Sequence, residues 1–140
     1  MKRKLIKYLL ITVCILTAGT VYADDNHYTS YVEVGYGYKV AGAFRNFASG
    51  TQKVILKDTM VYSAPTQPIK VELVQKGFLS NTKLGEKNIT LSTNNVYTLD
   101  YGYQKSSAKR QYVFYNNLPS SSGASVTGIY IGIIEMYPRR

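Results

Sequence analysis

With one cysteine, one histidine and no tryptophan, the chain lacks most of the residues from which metal centres, disulfide frameworks and nucleophilic sites are built. Cys14 and His27 together cannot complete a zinc site, which takes three or four protein ligands. A lone thiol makes no internal disulfide, so packing and strand pairing must carry the stability. Acidic residues are also few, eight against 17 Lys and Arg. They show no cluster with the alternate spacing of a calcium loop. Glu33, Asp58, Glu72, Glu86, Asp100 and Glu135 fall singly along the chain, so no two are marked out as a glycosidase pair. No Gly-x-Ser-x-Gly elbow occurs, and His27 has no neighbour with which to serve a serine as base. These absences lead to the expectation of a non-enzymatic protein with no catalytic residue, no metal site and no cofactor.

Long apolar runs are missing too, except near the start. Lys2, Arg3, Lys4 and Lys7 form a basic stretch, Leu9 to Leu16 an apolar one, and Val21-Tyr22-Ala23 ends on a small residue before Asp24-Asp25. That order is the layout of a secretory signal peptide, residues 1–23, cleaved after Ala23. A membrane-spanning helix wants about 20 mainly apolar residues, and here Thr17, Gly19 and Thr20 dilute the run after Leu16. Lipoprotein processing at Cys14 is disfavoured because Val13 is large and the cut would fall inside the apolar stretch. The expected product is a secreted or periplasmic chain, residues 24–140, forming one domain without stable membrane insertion after processing. It keeps no cysteine and carries a net charge of +5, from 13 basic and eight acidic residues.

What the chain does have is tyrosine, 14 residues of it, with Val, Ile and Thr, the types that fit a pleated, half-buried surface. Ile69-Lys70-Val71-Glu72-Leu73 alternates, putting three apolar side chains on one face and Lys70 and Glu72 on the other. Segments 28–38, 42–48, 52–57, 59–63, 87–92, 96–103, 110–116 and 125–137 read as further strands between turn residues. In the last of them Ile129, Ile131 and Ile133 are expected on one face, with Tyr130, Ile134 and Met136 on the other, as in a central strand. Asn94-Asn95 reads as a tight hairpin turn, since Asn tolerates left-handed backbone. Many strands without helical segments between them predict an all-β fold, a single antiparallel β-sandwich or small barrel of about seven to nine strands.

Two segments share a Tyr-Gly-Tyr core followed by lysine: Tyr36-Gly37-Tyr38-Lys39 and Tyr101-Gly102-Tyr103-Gln104-Lys105. In an extended strand, residues two apart lie on one face, so each motif is expected to display two phenol rings together. Tyr36, Tyr38, Lys39, Tyr101, Tyr103 and Lys105 are therefore the candidate ligand-binding residues, stacking on sugar rings and hydrogen-bonding through their hydroxyls. The expected partner is a cell-envelope polysaccharide or an envelope protein. Nucleic acid is not expected, because export removes the target and no dense basic patch appears. An alternative of another class is a small cationic secreted effector, or antimicrobial-like protein, acting on competitor envelopes.

Overall fold

The computed structural model describes residues 26–35, 37–62, 66–116 and 128–140. The expected signal peptide and the cleavage site after Ala23 lie outside the described residues. Nine strands follow in order: β1 Tyr28–Val34, β2 Lys39–Ala41, β3 Arg45–Phe47, β4 Gly50–Val61, β5 Thr66–Gln75, β6 Thr82–Ser92, β7 Tyr97–Gln104, β8 Ala108–Tyr115 and β9 Ile129–Tyr137. No helix occurs among the described residues. The strands form two antiparallel sheets, β1-β9-β4-β7 and β2-β8-β5-β6, with β3 continuing the β2 edge along β8. The expected all-β sandwich is what the chain forms.

Alternation explains which face each sheet buries. Ile69, Val71 and Leu73 point inward from β5, as their spacing predicts, and meet Val54 and Leu56 of β4 and Val34 of β1 in one core. Fully burying a Leu or Val side chain stabilises by roughly 1.5–3 kcal/mol. The opposite face of β5 is less wet than its Lys-Glu pattern implies. Glu72 is nearly buried, taking a hydrogen bond from the Tyr115 hydroxyl at 2.8 Å and an ion pair from Lys70 at 3.1 Å.

In β9 the strict alternation breaks. Ile129 and Ile131 are buried, but so are Ile134 and Met136, whereas Ile133 is 39% exposed, so Ile134 and Met136 share the inner face expected for Ile133, and Ile133 lies on the outer one. The cause is a bulge. β1 advances two residues, Ser30 to Val32, while β9 advances three, Ile134 to Ile131. The neighbouring β4 shifts phase at the same level, from buried Leu56 to buried Thr59, through Asp58 with its φ of +53°. The matched shifts keep β4 and β9 in register. Gly132 lies against Asp58, and any side chain there would run into that carboxylate. Segments 52–57 and 59–63, predicted as two strands, are thus one bent strand.

The Asn94-Asn95 turn has the expected chemistry and a different partner. Asn94 adopts φ +62°, but β6 and β7 belong to different sheets, so the turn arches between layers instead of closing a hairpin. Buried Thr59 holds it there. Its hydroxyl donates to Ser92 O at 2.7 Å and accepts from Asn95 N at 3.3 Å, and Asn94 N donates to Thr59 O at 2.8 Å.

One end of the sandwich encloses a buried cation. Arg110 is 1% exposed and its guanidinium donates to Ser106 O at 2.7 Å, Gln75 Oε1 at 3.1 Å and Gln52 Oε1 at 3.3 Å. Among the described residues no carboxylate pairs with it. Burial lowers its pKa, yet an arginine keeps its charge in a protein.

Candidate functional site

The sequence motifs come apart in the fold. Tyr36 lies outside the described residues. Tyr38, in the connection from β1 to β2, is 71% exposed, and Lys39 opens β2 as an exposed residue. In the second motif, the backbone N–H of Gly102 donates to Asp100 Oδ1 at 2.7 Å and Gly102 adopts φ +78°, which suits glycine. Here β7 advances three residues, Asp100 to Tyr103, while β4 advances two, Lys53 to Thr51. The bulge sends the two rings to opposite sides. Tyr101 enters the core, its hydroxyl donating to Val71 O at 2.9 Å and its ring 5.4 Å from that of Tyr112. Tyr103 is 68% exposed, with Lys105 beyond it in an exposed turn.

The two motifs also do not meet. β1 and β7 are opposite edges of their sheet, and Tyr38 lies past the end of β1 where Val34 pairs with Ile129, whereas Tyr103 pairs with Thr51 at the other end. Tyr38 and Tyr103 therefore do not lie on one face, and Tyr101 does not display its ring beside Tyr103. Tyr101→Ala is expected to cost about 3–5 kcal/mol of stability, as for other large core side chains, and Tyr103→Ala less than about 0.5 kcal/mol. Urea denaturation of the two variants checks this, and a Tyr103 variant that is the less stable one would reverse both placements.

What the structure brings together instead is the open side of the sandwich, between β1 of one sheet and β2–β3 of the other. A slot of about 150 Å³ opens there. Val32, Val40, Phe114, Ile134 and Met136 give it apolar walls, and Ser30, Tyr31 and Arg45 supply its polar lining. Tyr31 is 70% exposed. Arg45 is held over the Tyr28 ring at 5.1 Å, and the Tyr28 hydroxyl donates to Asn46 O at 2.6 Å. Tyr38 precedes β2 and Lys39 opens it, at the same edge.

Sequence reasoning missed this slot because its two walls come from strands of different sheets. The one local signal is the run Ala41-Gly42-Ala43, whose small side chains leave the space open. Gly42 N still donates to Tyr112 O at 3.0 Å, so the gap opens without loss of backbone pairing.

Chemically, the edge offers apolar contact, phenol rings and positive charge. The carboxylates at the centres of the outer faces are engaged in ion pairs. Glu135 accepts from Lys57 at 2.6 Å, and that bond holds its carboxyl below the ordinary value despite some burial. For Glu72, burial pushes upward but is outweighed by the Tyr115 hydroxyl and the Lys70 and Lys83 ammoniums, so its pKa is lowered. His27 stacks on Tyr137 with ring centroids 4.8 Å apart. Among the described residues no three His, Cys, Asp or Glu side chains come together.

Compared with known proteins, the sequence matches no family model and no curated protein.

Proposed function

We propose that the chain is an exported, non-catalytic binding module that engages a cell-envelope polysaccharide or envelope protein through the open edge between β1 and β2. The observation that carries this reading is the apolar slot flanked by exposed Tyr31. A space of about 150 Å³ is smaller than a typical ligand pocket of roughly 300–1,000 Å³. It suits one small apolar group, such as the methyl of an N-acetylated sugar or a partner's aliphatic side chain. The rest of an extended ligand then lies along the surface, where Tyr31 and Tyr38 offer ring faces and Arg45 and Lys39 offer hydrogen-bond donors. This keeps Tyr38 and Lys39 as binding residues and transfers the role given to the second motif to Tyr31 and Arg45.

Two measurements test it. Intact mass of material recovered from outside the cytoplasm should correspond to a chain starting at Asp24; a membrane-held form retaining Met1 to Ala23 overturns the export part. In sedimentation with purified cell wall, Tyr31→Ala and Tyr38→Ala should each weaken retention by about 1–3 kcal/mol, the range of aromatic anchors. Tyr103→Ala should leave it unchanged. Equal retention of all three variants would remove the β1–β2 edge from the function.

A further inference from the structure

The two most exposed large apolar side chains among the described residues are neighbours. Phe78 is 101% exposed and Leu79 92%. Both lie in residues 76–81, the connection between β5 and β6, and every residue from Lys76 to Lys83 is exposed. The base of this hairpin is fixed, since Lys76 N donates to Lys109 O of β8 at 2.9 Å. A rigid stem therefore presents an apolar tip to solvent.

The charges of the sandwich are distributed along the same axis. At the end that carries the tip, the connections 48–49, 76–81 and 105–107 and the segment 138–140 contain Lys76, Lys105, Arg139 and Arg140. The start of β1 reaches this end too, with Asn26 O accepting from Arg139 N at 3.1 Å, and Asp24 and Asp25 precede it in the sequence, so the cations still outnumber the carboxylates. Arg110 lies buried beneath the same end, adding a charge that no carboxylate among the described residues neutralises. Among the described residues at the other end, 35, 37–38, 62, 93–96, 116 and 128, none is charged.

We propose that the β5–β6 tip, Phe78 and Leu79 set in this cationic end, docks reversibly on an anionic lipid surface. Aromatic and aliphatic side chains enter the boundary between headgroups and acyl chains, while surrounding lysines and arginines are drawn to anionic headgroups. A protein partner fits less well, because a specific interface takes about 800 Å² from each side and a two-residue tip offers a fraction of that. An anionic polymer would engage the cations and leave Phe78 and Leu79 in water. The tip belongs to β5–β6, with β6 at the opposite edge of its sheet from β2, so this site and the slot are separate and stand or fall independently.

The test uses the full chain and vesicles of equimolar phosphatidylcholine and phosphatidylglycerol, with pure phosphatidylcholine as the neutral comparison. The same measurements on the form that starts at Asp24 remove the basic and apolar stretch of residues 1–23, which would itself bind anionic vesicles in every variant. The Phe78→Ser/Leu79→Ser double variant should keep the wild-type Tm, because both side chains are exposed, and should bind the anionic vesicles about tenfold more weakly or worse. The chain has no tryptophan, so Phe78→Trp places a single reporter at the tip. Its emission should shift to the blue on anionic vesicles and become shielded from iodide. Undiminished binding by the double variant, an emission spectrum that vesicles do not change, or equal binding to neutral vesicles would each overturn the proposal.

Discussion

Ile131→Asp is expected to cost about 4–5 kcal/mol, enough to unfold much of the population of a domain whose total stability is about 5–15 kcal/mol. Ile133→Asp, two residues further along the same strand, is expected to cost about 1 kcal/mol. Ile131 is fully buried, paired with Val32 on one side and Thr59 on the other, and an aspartate there has no cation to meet. Ile133 has been carried to the outer face by the bulge at Gly132 and lies opposite Lys57. Urea unfolding curves of the two variants measure the difference directly. Equal losses would mean that β9 alternates without a break and that the bulge does not exist.

The second large effect concerns alkali. Tyr101 and Tyr112 have their rings 5.4 Å apart inside the core, and burial pushes both phenols well above their ordinary pKa. For Tyr112 this outweighs the nearby Arg110 charge, which acts in the other direction. A folded-state pKa above the unfolded one means that the stability tied to the proton is complete below about pH 10 and is lost as the pH rises, because only the unfolded chain releases the proton. With two such groups the slope is about 2.7 kcal/mol per pH unit, so stability measured in urea should fall steeply between about pH 10 and 11. Tyr112→Phe should halve that slope. It should also leave stability at neutral pH unchanged or raise it, since the Tyr112 hydroxyl is buried without a hydrogen-bond partner. A wild-type stability that does not change over this range would place both phenols in water.

Most strands were legible because a sheet with one buried face writes a period of two into its sequence. Ile69, Val71 and Leu73 show this without ambiguity. A bulge is different: one backbone residue changes the phase of everything after it, and periodicity has no term for that. For this reason Ile133 lies on the face opposite to Ile131, and Tyr101 on the face opposite to Tyr103, where alternation predicts a shared face for each pair. The residues that make the shifts possible, Asp58, Gly102 and Gly132, are visible in the sequence, yet aspartate and glycine also occur in ordinary strands and turns. At Asn94-Asn95 the local preference for left-handed backbone was readable. Whether the chain then returns to its own sheet or crosses to the other depends on Thr59, 35 residues earlier, whose hydroxyl holds the arch.

The functional features were less legible than the fold. Tyr-Gly-Tyr looked like a ring pair because extended geometry was assumed through Gly102, and its φ of +78° removes that assumption. The slot is made by Val32 and Val40 from two sheets, so no window of sequence contains it. Phe78 and Leu79 resemble any apolar pair that a fold would bury. Only the length of the β5 and β6 strands shows that they lie beyond the core, at a tip.

The central claim is that the open edge between β1 and β2 is the binding surface. Residue-by-residue amide chemical shifts, recorded while the protein is titrated with muramidase-solubilised cell-wall fragments, test it most directly. The account predicts saturable shifts at Tyr31, Val32, Val40, Ala41 and Arg45, with Tyr103 and Lys105 unmoved. Shifts centred on β7, or none at the highest fragment concentration, would contradict it.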